Sequence, residues 1–230
     1  MPKQCRFTLV EIIVVITIIA ILIALLLPSV KTVRDKSKQV ICFTNLRSMG
    51  QAIVLYTANN DRFMPYCNWD PLDPVYVKGW LYSSPSRSAA SDVEAGSLWP
   101  YLYERDIYHC PMHDDHEKTG DIQRLTSYIM SGMLQHYGSS SEWFRYSDFP
   151  GDGIAMWEEN EYFVRWNDGA NFTTEGSPQL SFRHFGRASV LSFSGGVEPW
   201  YSTEYDAEKV TASAEEHTRV LYCPLKDAAH

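Results

Sequence analysis

Charge is missing from Ile12 through Val30, nineteen residues in a chain of 230 that is 21% charged overall. A helix over that stretch would be about 28 Å long, roughly the thickness of a bilayer's hydrocarbon core, so one membrane-spanning helix is expected. A small-residue cleavage site is also missing: Pro28-Ser29-Val30-Lys31 follows the apolar run. The run also exceeds the about 7 to 15 apolar residues of a secretory signal, which argues against removal as an ordinary signal peptide. Basic residues are scarce in the body. Beyond residue 38, 14 Lys and Arg stand against 26 Asp and Glu, a net of −12. Such a body gains nothing from counterion release, which excludes nucleic acid as the expected partner. No phosphate-binding glycine loop, nucleophile motif or recognisable carboxylate pair is found, so no enzymatic activity is expected. Repeats and low-complexity tracts are absent as well, and a 45% hydrophobic share excludes wholesale disorder.

What is present begins with Phe7–Leu27, whose only non-apolar residues are Thr8, Glu11 and Thr17. Glu11 is the anomaly, because a carboxylate within the bilayer costs about 2.5–3.5 kcal/mol on insertion scales and therefore points to a partner or a function. Within the span nothing neutralises it. A new chain end before Phe7 would supply an α-amine able to meet the Glu11 of a neighbouring subunit, an attraction strong enough in low dielectric to fix the register of a helical assembly. Lys3 and Arg6 on one side face Lys31, Arg34, Lys36 and Lys38 on the other, so charge does not set the orientation. Pro28 lacks an amide donor and should kink the helix.

Beyond the span, Leu46, Met49, Ile53 and Tyr56 recur at helical spacing with Asn45, Arg47, Ser48 and Gln51 between them. The helix is expected to continue amphipathically over residues 31–60 and end at Asn59-Asn60-Asp61. The globular part is then residues 61–230. Cys67 to Ala95 reads as irregular surface structure, and Ser97 to Tyr103 as a short helix capped by Ser97. Strands are expected at Thr126–Ser131, Ile154–Trp157, Glu161–Trp166, Ala188–Phe193 and Val197–Trp200. Glu158-Glu159-Asn160 and Ser194-Gly195-Gly196 supply turns. The fold class is α+β: a long N-terminal helix on a small antiparallel sheet.

The segment Lys3-Gln-Cys-Arg-Phe-Thr-Leu-Val-Glu11, with the apolar run and Pro28 after it, resembles the prepilin-type cleavage and methylation segment of type IV pilins and type II secretion pseudopilins. The resemblance implies a pilin-like fold, a leader over residues 1–6, and a cut between Arg6 and Phe7 by a prepilin peptidase. It further implies methylation of Phe7 and an assembly role for Glu11. Arg6 stands where that family commonly has Gly. Farther on, Ser181-Phe-Arg-His184, nine residues, and Ser194-Gly195-Gly196-Val197-Glu198 resemble a C-terminal module with a His, nine residues, Asp-Gly pattern, Ser194 replacing the Asp. Ile41-Cys-Phe-Thr-Asn-Leu-Arg47 and Tyr108-His-Cys-Pro111 resemble parts of the same large bacterial group.

A cut after Arg6 discards Cys5 and leaves Cys42, Cys67, Cys110 and Cys223. In an oxidising compartment two disulfides allow three pairings, and spacing does not choose among them. The pairing favoured here is Cys42 with Cys110 and Cys67 with Cys223, with buried thiols as the other reading. His109, His113, Asp114, Asp115 and His116 are the densest group of potential metal ligands, yet Pro111 favours a solvated loop, and no metal is expected there. Asp152-Gly153 and Asn167-Asp168-Gly169 read first as turns, with calcium as the one cation they would suit. His184 reads as a structural histidine. The seven Trp and fourteen Tyr all lie outside the membrane run and read mainly as core.

The uncharged run predicts a single membrane pass, and the resemblance implies an inner-membrane subunit with its C-terminal domain in the periplasm or on an extracellular fibre. Its expected partners are further copies of itself, the prepilin peptidase and a secretion or pilus assembly machinery, and no cofactor is expected. A membrane-anchored extracytoplasmic module binding glycan or protein is the alternative. A metal-dependent hydrolase on His109, His113 and His116 comes third.

Overall fold

Residues Leu9–Asn59 form one helix, α1, which runs through Pro28 without a break. The computed structural model describes residues 8–68, 78–83, 90–113, 125–132, 144–160, 169–171 and 180–201. Over its first part, to residue 34, α1 is exposed on all sides. From Cys42 onward it buries one stripe, Cys42, Asn45, Leu46, Met49, Ala52, Ile53 and Thr57. The expected apolar stripe is therefore found, with Tyr56 half-buried and Asn45 inside it rather than on the wet face. Asn60 caps the end, and Asp61 and Arg62 follow with φ of 50° and 68°, the turn chemistry anticipated there.

The stripe packs on β4 and β5, on the short helix α2 (Trp99–Leu102) and on a 3-10 turn at Arg105–Tyr108. The sheet consists of β1 (Tyr128–Ser131), β2 (Ile154–Glu158), β3 (Ala170–Asn171), β4 (Arg187–Ser192) and β5 (Val197–Tyr201), in the order β3-β1-β2-β4-β5. Strands β1, β2, β4 and β5 are antiparallel neighbours, while β3 adds a short parallel edge to β1. Alternation puts Tyr128, Met130, Met156 and Leu191 in the main core with α1. Ile129, Trp157 and Val190 lie in a second cluster, with Ile154, Leu180 and Ala188. The clusters alternate along β1 and β4, while in β2 the register shift between Ile154 and Met156 places Ala155 and Met156 together in the main core. The architecture is α+β and pilin-like, as the sequence predicts.

Three local expectations are corrected. Ser97 does not cap α2: the N-cap is Leu98, without a side-chain cap bond, and Pro100 sits in the first turn, where its missing N–H costs nothing. Glu158-Glu159-Asn160 is not a turn. Glu158 ends β2, Glu159 bridges to Leu180, and both glutamates are fully buried. Within the described parts of 67–95, Ala90–Ala95 forms a 3-10 helix with Ser91, Glu94 and Ala95 exposed, whereas Asn68, Trp80, Leu81 and Tyr82 are buried rather than at the surface. Asn68 Oδ1 accepts from Leu81 N at 3.0 Å and its amide donates to Tyr82 O at 3.2 Å, replacing the ladder a strand would supply. The expected strand at 161–166 lies outside the described residues.

The hairpin at Ser194-Gly195-Gly196 is found. Gly195 takes φ +82° and its N–H donates to Ser192 O at 2.9 Å, joining β4 to β5.

Candidate assembly segment and buried polar cluster

At its N-terminal end α1 is closed by a capping box. Glu11 N donates to Thr8 Oγ1 at 3.2 Å, while Thr8 N and Oγ1 donate to Glu11 Oε2 at 2.7 and 2.8 Å. Its own helix start therefore gives one carboxylate oxygen two uncharged donors, which hydrogen-bond Glu11 without neutralising it. Oε1 has no donor among the described residues. Arg6 and Phe7, the expected cut and methylation positions, lie outside those residues, as does Cys5. Helix α1 is long and apolar enough to cross a membrane by length and composition. Its large side chains from Leu9 to Val30 are about half exposed or more, an apolar surface with no partner among the described residues.

A second group of chemically active residues meets where α1 lies against the sheet. Cys42 and Asn45 share a face one turn apart on α1. The Asn45 amide donates to His109 O at 3.1 Å, Asp106 O at 3.3 Å and Tyr128 Oη at 3.4 Å, which holds the following residue, Cys110, beside Cys42. The two Sγ atoms are 2.7 Å apart, longer than a disulfide bond. Cys110 is also fixed by its N–H donating to Ser127 Oγ at 2.9 Å.

The sheet supplies the other half. Glu158 follows Met156 at strand spacing and so shares its helix-facing side. One turn before β4, Phe185 and Gly186 both take positive φ, 55° and 80°, in a tight two-residue turn closed by mutual backbone bonds between His184 and Arg187. That turn holds His184 with Nε2 2.9 Å from Glu158 Oε1 and 3.3 Å from Cys110 Sγ. Glu158 Oε2 accepts from Ser189 N at 2.6 Å. Side chains of Glu158 and His184 are both 0% exposed.

Electrostatics follow from this crowding. Burial pushes Glu158 up, but His184, the Arg183 guanidinium and the Ser189 N–H outweigh it and hold the carboxyl down to about 2. Burial pulls His184 down, and its contacts with Cys110 and Glu158 reverse that and carry it up to about 9. The Cys42 thiol, donating to Cys110, lowers Cys110 to about 6 against burial, with His184 helping. Cys42 itself is raised, first by donating to Cys110 and then by burial.

The remaining sequence candidates fall apart from this cluster. The rings of His109 and His113 stand edge to face at 6.4 Å, and His113 Nδ1 lies 2.8 Å from Ser127 Oγ. Among the described residues they join no group of three metal donors, and Asp114, Asp115 and His116 lie outside. Asp152 and Gly153 form an exposed-to-buried turn, closed by Gly153 N donating to Pro150 O at 3.1 Å. Gly169 O accepts from Trp80 Nε1 at 2.7 Å, while Asn167 and Asp168 lie outside the described residues. Cys67 is buried and Cys223 lies outside. Trp80, Trp157, Tyr82, Tyr108 and Tyr128 are core, as expected of the aromatics. Sequence reading missed Glu158 altogether, since a Glu-Glu-Asn string carries the signal of a turn.

With this geometry in place, the N-terminal end can be assigned. Residues 2–27 match the family of the prokaryotic N-terminal methylation motif. The chain therefore carries the N-terminus of a prepilin- or pseudopilin-type protein, joined to a pilin-like fold. That match ends well before His184 and the Ser194-Gly195-Gly196 turn. No curated protein and no solved structure matches the chain.

Proposed function

We propose that this chain is a structural subunit, cut between Arg6 and Phe7, methylated at Phe7 and polymerised through α1 into a type II secretion pseudopilus or a type IV pilus-like fibre. The observation that carries the reading is the methylation motif at residues 2–27 overlapping an apolar helix that has no partner among the described residues. Exposed apolar side chains over so long a helix need lipid before assembly and other helices after it. Glu11 Oε1 is left for the amine of a neighbouring Phe7, while Oε2 stays with Thr8. Pro28 is the bend that lets packed helices diverge toward their globular parts, which face the periplasm or the outside of the cell. The function is mechanical and needs no catalytic group.

The test is terminal sequencing of the full chain coexpressed with a prepilin peptidase in a host that builds such fibres. A methylated Phe7 at the start is expected. A chain still beginning at Met1, or trimmed beyond Pro28, would overturn the reading.

A further inference from the structure

We infer that Cys42, Cys110, Glu158 and His184 form a buried zinc site that fastens the stalk helix to the sheet. Their donor atoms lie within 4.8 Å of one another and all four residues are buried. They come from four separate places in the fold: α1, the segment after the 3-10 turn, the end of β2 and the turn before β4. Two thiolates, an imidazole and a carboxylate make a tetrahedral donor set of the borderline-soft kind that zinc takes.

Distance between the sulfurs does not by itself separate this from a disulfide. At 2.7 Å it lies between the about 2.05 Å of a bonded pair and the about 3.8 Å of two thiolates on one zinc at about 2.3 Å each. The other two donors decide. A disulfide uses only the sulfurs and leaves a carboxylate and an imidazole gathered against it in a waterless interior, where burying ionisable groups is costly. His184 Nε2 faces both Cys110 Sγ and Glu158 Oε1, and one proton on that nitrogen serves two acceptors poorly. An ion among them accepts a lone pair from each. Zinc binding transfers no electrons: it displaces the thiol protons and any proton on Nε2 to solvent, and four donor bonds form. Three ligand charges against the dication leave one negative charge, and the neighbouring Arg183 guanidinium offsets it. Ligand order also suits the role. The ion would tie residue 42 of the stalk directly to residue 158 of the central strand.

The full chain is purified in detergent from anaerobically lysed cells, incubated with zinc, freed of excess and assayed for metal, with peptide mapping for cross-links. About one zinc per chain is expected, with Cys42 and Cys110 recovered as separate thiols. E158Q and H184N should each weaken zinc retention on the order of tenfold or more while leaving the helical circular dichroism unchanged. Cobalt in place of zinc should give a thiolate charge-transfer band and intense visible bands of a tetrahedral ion, a readout that does not depend on any variant folding. The site is overturned by zinc below about a tenth per chain, by a Cys42–Cys110 linked peptide two hydrogens lighter, by an octahedral cobalt spectrum, or by E158Q and H184N holding metal as the parent does.

Discussion

His184 Nε2 lies 2.9 Å from Glu158 Oε1, and water reaches neither side chain. Removing one partner strands the other as a buried charge, whereas removing both trades the pair for apolar packing. In chelator-treated chain, H184L should lower stability by about 3–5 kcal/mol, and E158L/H184L should recover much of that loss. Urea unfolding followed by tryptophan fluorescence checks both. A double variant as unstable as H184L would mean that the pair matters for more than its charge.

Asn45 ties the stalk to the body through two backbone carbonyls and the Tyr128 hydroxyl. N45A removes these bonds, and although Asp106 O keeps the His109 N–H as a donor, a loss of about 1–3 kcal/mol is expected. The same unfolding curve reads it, and N45A should expose Cys110 to alkylating reagent faster than the parent does.

Two glycines separate backbone from side-chain obstruction. A Cβ on Gly96 would sit 2.5 Å from Leu81 O and 2.7 Å from Trp80 O, which cannot yield, so G96A should cost about 1–3 kcal/mol. A Cβ on Gly50 would meet the Leu191 side chain first, its nearer methyl at 3.1 Å. There the about 1 kcal/mol gained in helix propensity should offset the contact, leaving G50A close to the parent in thermal midpoint.

Thr8 and Glu11 divide capping from assembly. T8A removes the cap and should cost helix stability of about 1 kcal/mol, with filaments still formed. E11A should abolish filaments while leaving the chain inserted and cut at Phe7. Shearing cells and blotting the sheared fraction, beside terminal sequencing of the cell-bound chain, distinguishes the two. Filaments from E11A at the parent's level would remove the registry role.

The long helix, its apolar stripe and the β4–β5 hairpin were legible because each has a local signal: an uncharged run, a 3.6-residue recurrence, a Ser-Gly-Gly turn. The buried cluster was not. Cys42 and Cys110 are 68 positions apart, Cys110 and His184 are 74 apart, and only the packing of α1 on the 3-10 turn and on the sheet brings them together. Cys42 with Cys110 was the pairing favoured from sequence, and the fold places those sulfurs side by side, but nothing local pointed to Glu158. A polar residue within a helix or at a strand end looks like surface in a sequence. Asn45 and Glu158 are interior because their hydrogen-bond partners arrive from elsewhere in the chain.

Because α1 passes Pro28 without interruption, its 51 residues stay one hydrogen-bonded helix, about 76 Å measured along its path through the Pro28 bend. A push delivered at the membrane end reaches Cys42 and Asn45 with no intervening hinge loop to absorb it. The globular head is thus loaded sideways, across all the contacts of the stripe at once, rather than peeled from one end.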